Sequence, residues 1–499
     1  MNAHSIPDLL GPAAAAFVRE RHQNLIGDQW APSLSGETME VVDPATGAVV
    51  SQIASSGAAD VDAAVRVARQ AFEDGPWSRM SGAERGRLIW KLATVLGDNA
   101  GELAQIESLD TGRPIFECRL VDVPGSVNML EYMAGWATKI NGETMQLGAP
   151  GMLHAYTERE PVGVVAVIVP WNYPLELAVW RTAPALAAGC TVIIKPAEQT
   201  SLTAIRLGQL VQAAGFPPGV INIVTGIGET AGAALAAHPG VDAISFTGST
   251  ETGRAIVHAA TGNLKRVFLE LGGKSPCIVL ADADLERTIP GVAGSIFFSS
   301  GQVCTAGSRL FIDERLFDQV VEGVANYARG LKIGPGLDAA TQLGPLVSND
   351  QLGRVLGYVD EGRRDGARFV TGGQRLGEIG YFVEPTVVVD TSPQMSIYRE
   401  EVFGPVLCAI PFKAGDLDGV VAAANDTVYG LHASLWTQNL RDAHQLARRI
   451  KAGNVCINTH NFFDPAFPMG GFKQSGWGRA SGFAAIEHYT EVKGVVAVL

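Results

Sequence analysis

The sequence predicts an α/β protein built on a doubly wound parallel sheet, and three observations carry that expectation. Between Val162 and Leu271, short apolar runs alternate with helix-like stretches. A parallel pair needs a crossover of about a dozen residues, and the helix-like stretches supply it. Apolar types make up 47% of the 499 residues and charged types only 18%, with Gly and Pro spread rather than clustered, so there is material for large compact units.

Taken in order, residues 1–60 open with a short helix-like start and continue as strand-and-turn text around Val41-Val42-Asp43-Pro44 and Ala48-Val49-Val50. From Asp60, Val61, Ala64, Val65, Ala68, Ala71 and Phe72 recur at steps of three and four, a helix ended by Gly75-Pro76. Ser81-Gly82-Ala83-Glu84 has the form of a capping box and starts a helix reaching about Leu96. Helices over 101–109 and 121–139 follow. Strands are then predicted at 162–169, 191–195, 220–224, 243–246 and 266–271, with helices at 175–188, 200–214, 229–237 and 250–260 between them. Such a sheet of about five strands binds ligands at its carboxyl ends. A second α/β stretch starts near Gly272, with helices at 284–298 and 314–330 and strands at 308–313, 405–412, 432–437 and 453–458. The loop from Asn458 to Gly478 is too long for a plain connector. The apolar, strand-like end from Tyr489 to Leu499 is an edge that a partner subunit would cover.

Charge and cysteine usage narrow the function. The net charge of −13 comes without a run of like charges, which argues against nucleic acid or an anionic membrane surface as partner. Cys118, Cys190, Cys277, Cys304, Cys408 and Cys456 are scattered, with no C-x-x-C and no His at ligand spacing, so neither disulfides nor a metal is expected. Reduced thiols suit a cytoplasm. Met1 to Arg19 lacks the basic-then-apolar pattern of a secretory signal, and the longest apolar run is half a bilayer span.

Several residues could carry chemistry. Gly226-x-Gly228 and Gly248-Ser249 each follow a strand and open a helix, where amides could face a pyrophosphate or merely serve the turn. Lys195 ends a strand and Glu198 follows in a turn, placed either to meet ribose hydroxyls or simply to face solvent. Cys304 sits among small residues, Glu270 ends an apolar strand, and Asn172 follows a strand end. Together they could supply nucleophile, base and oxyanion donor.

Six blocks carry a resemblance to the aldehyde dehydrogenase superfamily from about Asp43 to Val495. They are Pro170-Trp171-Asn172-Tyr173-Pro174, Lys195-Pro196-Ala197-Glu198, Phe246-Thr247-Gly248-Ser249-Thr250, Leu269-Glu270-Leu271-Gly272-Gly273-Lys274, Gly301-Gln302-Val303-Cys304 and Glu400-Glu401-Val402-Phe403-Gly404-Pro405. The resemblance implies a Rossmann-type NAD-binding domain (1–140 and 161–271), a second α/β catalytic domain (272–475) and a small β oligomerisation element (141–160 with 485–499). It implies oxidation of a small-molecule aldehyde with NAD, in a homo-oligomer with a tetramer favoured over a dimer. Cys304 is then the nucleophile, Asn172 with the Cys304 amide the oxyanion hole, and Glu270 the base that activates water. Lys195, Glu198, Gly228, Phe246, Gly248, Ser249, Glu401, Phe403 and Trp171 fall on the cofactor side, and Glu198 favours NAD over NADP.

The resemblance places Tyr173, Glu176, Leu177, Trp180, Gly125, Phe298, Phe463 and Asp464 along a substrate tunnel, together with Trp171. Aromatic walls and the small Gly125 would admit a flat ring. The loop Asn461-Phe462-Phe463-Asp464-Pro465-Ala466 looks most like phenylacetaldehyde dehydrogenases, as do Gly471 to Gly478 and the segment Phe17-Val18-Arg19-Glu20-Arg21-His22. Glu176 and Asp464 keep a cationic aminoaldehyde or betaine aldehyde as the alternative, unless they face solvent or pair with a base such as Arg181. Remoter alternatives are a non-catalytic protein on the same fold and a thiol hydrolase. Two positions depart from the family pattern: Arg181 stands where Lys is common, and Ala480 where an acid follows Gly478-Arg479. Arg does not release a proton near neutrality and Ala has none, so Glu270 is expected to export its proton through water or the substrate entrance.

Overall fold

The structure, a computed structural model, describes residues 9–499. Strand Val164–Ile168 shows how the first half is built. Val165 and Val167 face one core layer with helix Pro174–Ala188, while Val164, Ala166 and Ile168 face the other, with helices Ala58–Glu73 and Thr250–Ala260. Both faces are covered, so the strand is a continuous apolar run rather than an alternating one. Its sheet runs Gly476–Trp477, Arg266–Glu270, Ala243–Thr247, Val164–Ile168, Thr191–Lys195, Ile221–Ile223, Asn24–Ile26 and Gln29–Ala31. The five middle strands are parallel, and the short flanking ones are antiparallel. The sheet therefore has eight strands against the five expected, because edge strands of two or three residues leave no periodic trace.

The chain leaves Val164–Ile168 in one direction across the sheet and returns on its other side through Ala243–Thr247. This reversal opens a crevice at the carboxyl ends of the two strands. Asn172, Ser249 and Glu270 all lie just past or at such strand ends. Helix Gly82–Asp98 is closed by the expected capping box: Glu84 N–H donates to Ser81 Oγ (3.3 Å) and Ser81 N–H to the Glu84 carboxylate (2.8 Å).

A second sheet runs Arg368–Thr371, Thr386–Val389, Val406–Phe412, Arg309–Asp313, Pro276–Val279, His432–Trp436 and Asn454–Ile457. All pairs but the first are parallel. Here too Cys277 and Val279 face one core layer and Ile278 the other. Past Asn458 the chain crosses back, and Gly476–Trp477 joins the first sheet beside Leu269 and Glu270. A third, antiparallel sheet holds Thr490–Val498, Leu153–Pro161 and Thr144–Met145. Among the described residues no helix is long and apolar enough to cross a membrane, and no cluster of His, Cys, Asp and Glu is arranged to hold a metal ion.

Candidate active site

A cavity of about 920 Å³ lies between the two large sheets, lined by Cys304, Glu270 and Asn172. Trp171, Gly248, Ser249, Glu401 and Phe403 border one part of it, and Tyr173, Glu176, Leu177, Trp180, Phe298 and Phe463 another. The three residues read as nucleophile, base and oxyanion donor thus share one space, though they are far apart in sequence.

Cys304 follows a strained approach. Ser299, Ser300 and Gly301 have φ of 51°, 54° and 71°, all left-handed. A Cβ on Gly301 would lie 2.1 Å from the Gly404 carbonyl oxygen, so only glycine fits there. Arg113 holds this turn: its Nε donates to Ser299 Oγ (2.7 Å), and its Nη1 to Asp122 (2.5 Å) and to the Asn172 carbonyl (3.3 Å). Glu117 accepts from Ser299 N–H (3.0 Å) and from its hydroxyl (2.8 Å), while the Tyr173 ring lies 3.9 Å under the guanidinium. One buried cation therefore joins the Asn172 segment to the turn before Cys304. Sequence reasoning missed Arg113, Glu117 and Asp122, since nothing in the local text ties them to a residue nearly two hundred positions on.

Asn172 Nδ2 donates to the Gln302 carbonyl (2.9 Å), which fixes its amide and leaves the second N–H for an oxyanion. Cys304 is part-exposed, whereas the other five cysteines are buried. Burial, aided by the Glu401 and Glu270 carboxylates, pushes its thiol up to about 12, while the Cys304 and Thr305 amides favour the thiolate. Burial raises Glu270 to about 7 against the pull of Arg181 and Arg479, and among the described residues neither of its oxygens has a hydrogen-bond partner. Arg181 Nε donates to Thr247 Oγ1 (3.1 Å), and Thr247 pairs with Glu270 across the sheet, which keeps this cation beside the base. Ala480 is buried, its N–H bonded to the Met469 carbonyl (2.7 Å).

The cofactor-side residues fit a dinucleotide. Lys195 Nζ donates to one Glu198 carboxylate oxygen (3.1 Å) and Gln199 Nε2 to the other (3.4 Å), and the remaining lone pairs of the carboxylate and hydrogens of the ammonium suit ribose hydroxyls. Ser249 caps helix Thr250–Ala260, its Oγ accepting from Thr252 N–H (3.1 Å), and the free amides of that helix start suit a pyrophosphate. Gly228 begins the turn before helix Ala233–Ala237, with open space around it. Phe246 is placed differently: its ring is buried under Gly248 and stays off the cavity wall. Glu401 accepts from Gly273 N–H (2.8 Å) and is raised to about 7 by burial. Phe403, itself left-handed with φ 60°, meets the Trp171 ring edge-on at 5.2 Å.

On the substrate side, Glu176 packs against Gly125, where a Cβ would come within 2.3 Å of its carboxyl oxygen. It makes no bond to Arg181. Burial and the Asp122 carboxylate hold it well above the usual carboxylate range. Asp464 does not reach the wall: its Oδ1 accepts from Ala466 N–H (2.8 Å), because a turn at Pro465 turns it outward, so its place in the tunnel is withdrawn. His460, unnoticed in the sequence, lines the cavity instead.

Comparison with known proteins agrees with this architecture. The aldehyde dehydrogenase family model matches residues 30–495. A phenylacetaldehyde dehydrogenase of Pseudomonas fluorescens is 46% identical over 96% of both chains. The NAD+ complex of an aldehyde dehydrogenase from Bacillus cereus superposes with a TM-score of 0.96 at 44% identity, covering 98% of this chain and 99% of that one. A P. syringae indole-3-acetaldehyde dehydrogenase, solved with NAD+ and IAA, gives 0.93 at 42% identity over 96% and 97%. With its family model matched over nearly the whole length and relatives this similar, the chain belongs to the aldehyde dehydrogenase family.

Proposed function

We propose that this protein is an NAD-dependent dehydrogenase that oxidises arylacetaldehydes, phenylacetaldehyde among them, to carboxylic acids. The observation that carries the reading is the shared cavity of Cys304, Glu270 and Asn172, with dinucleotide-type donors at one end and an aromatic wall at the other. The Cys304 thiol gives up its proton to water as the sulfur adds to the aldehyde carbon, giving a thiohemiacetal oxyanion that accepts from Asn172 Nδ2 and the Cys304 amide. NAD, with its nicotinamide end held by Glu401 and Phe403, would supply the hydride acceptor for the former aldehyde carbon. Cys304 then carries a thioester. Glu270, raised to about 7 yet half-ionised at neutral pH, takes a proton from water as that water attacks the thioester carbon, and the acid is released with the thiol restored. Lys195 and Glu198 would hold the ribose, Ser249 the pyrophosphate, and Glu401 with Phe403 the nicotinamide end.

The state of Glu176 supports an uncharged aromatic substrate over a cationic one. Burial and the Asp122 carboxylate both work against an ionised Glu176, which disfavours it as a counter-charge for a betaine or aminoaldehyde, and Asp464 lies off the wall. The names of the P. fluorescens and P. syringae relatives point the same way. A free thiol nucleophile fits a reducing compartment such as a cytoplasm. The exposed apolar third sheet supports assembly with copies of the chain, and the family resemblance favours a tetramer over a dimer. NADH absorbance followed over phenylacetaldehyde, indole-3-acetaldehyde, hexanal and betaine aldehyde tests the reading. The two arylacetaldehydes are expected to give kcat/KM at least tenfold above the others. A preference for betaine aldehyde would reverse the assignment of the tunnel, and no NADH with any of the four would sink the activity.

A further inference from the structure

Beneath Cys304 lies a hydrogen-bonded chain that the proposed reaction does not use. His460 Nε2 is 3.0 Å from the Thr305 carbonyl oxygen, and its Nδ1 is 2.9 Å from Ser434 Oγ. A carbonyl only accepts, so Nε2 carries the proton and Nδ1 accepts from the Ser434 hydroxyl. Trp436 Nε1 in turn donates to Ser434 Oγ at 3.2 Å, and the single Ser434 hydroxyl hydrogen is shared between His460 Nδ1 and Cys277 Sγ, which lies 3.2 Å from Ser434 Oγ. The direction of the last step, from His460 Nε2–H to the carbonyl of the residue after the nucleophile, is fixed because that carbonyl only accepts. Thr305 is held a second time, its hydroxyl donating to Asn461 Oδ1 at 2.7 Å. Neighbouring residues 460 and 461 thus grip both the carbonyl and the side chain of Thr305.

Two further observations give this grip a purpose. The Thr305 N–H is one of the two amides directed at the Cys304 sulfur, so the orientation of Thr305 sets how well the thiolate is solvated. The gripping loop also carries Phe463, on the cavity wall two residues past Asn461, and its backbone is left-handed at Asn458 (φ 55°) and Asn461 (φ 52°), either side of His460. Such strain persists where surrounding contacts over-determine it. The groups facing His460 bring no fixed charge: Cys277 from strand Pro276–Val279 and His432 from strand His432–Trp436, its ring 4.6 Å away. Burial lowers His460 to about 4, so the ring stays neutral through the working range and acts as a fixed donor rather than a proton carrier.

Resting on the reading of Cys304 as nucleophile, we infer that His460 is a positioning residue, which through Thr305 aims an amide at the Cys304 sulfur and locks the substrate-tunnel loop to the nucleophile turn. The test compares His460→Phe, which keeps ring bulk and loses both hydrogen bonds, with His460→Gln, whose amide N–H reaches the same carbonyl. Ser434→Ala, which frees the ring to take the other tautomer, serves as a milder variant should the Phe variant fail to fold. The first readout is the rate of iodoacetamide alkylation of Cys304 across pH 7–10, located by peptide mass; it needs no aldehyde. In His460→Phe this rate is expected to fall about tenfold, as a loss of about one pH unit in thiolate stability would give. The same variant should lose kcat, keep its NAD affinity, and be rescued to within threefold by Gln; Ser434→Ala should fall between. Equal alkylation in parent and Phe variants, or failure of Gln and Phe alike with loss of NAD binding, overturns the inference. Absence of NADH formation by the parent would instead strike at the proposed function.

Discussion

With Glu270 as the proposed base, which must be ionised to take a proton and which burial raises to about 7, the hydrolytic step is expected to speed up as pH rises through neutrality. Arg181 is the larger of the two cations that oppose this rise, held in place by Thr247. In Arg181→Met the carboxyl should keep its proton to higher pH. The midpoint of kcat against pH is expected to move up by about one unit, with kcat lowered at pH 6 and nearly unchanged at pH 9. A midpoint that stays put would show that Arg181 does not govern the base. The same residue bears on proton export. Neither Arg181 nor Ala480 passes protons, and among the described residues Glu270 has no hydrogen-bond partner. Ala480→Glu is therefore expected to leave thioester hydrolysis within threefold; a tenfold gain would restore a side-chain relay.

Elements decide how precisely these residues meet, and the turn before Cys304 depends on Arg113. Its guanidinium is buried with Glu117 and Asp122, so removing the cation strands two carboxylates away from water. Arg113→Met is expected to cost about 3–5 kcal/mol in denaturant unfolding and to lower kcat through a loosened Ser299–Gly301 turn. Adding Glu117→Gln and Asp122→Asn should return most of the stability but not the rate. If stability does not recover, the loss is one of packing rather than charge. This network also marks where reading the sequence stops. Strands such as Val164–Ile168 and Thr191–Lys195 were legible because burial on both faces demands unbroken apolar runs. Short edge strands and strand Pro276–Val279 leave too few residues for any period. The sequence text around Cys304, Glu270 and Asn172 picked out three residues that line one cavity, whereas Arg113 and His460 make contacts more than 150 positions away. Asp464 misled for the opposite reason: its carboxylate looks the same in sequence whether it lines a wall or closes a turn.

At the scale of the whole molecule, the third sheet is hard to reconcile with a lone chain in water. Strand Thr490–Val498 lies at its edge, paired to Leu153–Pro161 along nine residues on one side, with its other side unpaired in the chain. Val492, Val496 and Val498 are exposed along it and Leu499 just past its end, and Met145 on strand Thr144–Met145 and Met152 just before strand Leu153–Pro161 are exposed as well. A long apolar edge of this kind invites another strand and is normally covered. A two-fold pairing through this sheet would satisfy one edge per chain, and a second, different contact is needed to close a tetramer. Light scattering on the purified protein is expected to give about four times the 52.6 kDa chain mass. Val496→Asp, which sets a charge in the middle of the apolar strip, should shift it to smaller species while NAD affinity in each chain is retained, because the cofactor cavity is bounded by the two large sheets. A parent that runs as a monomer would mean that the strip is covered by something other than its own copies. A Val496→Asp protein that stays tetrameric would move the interface away from the third sheet.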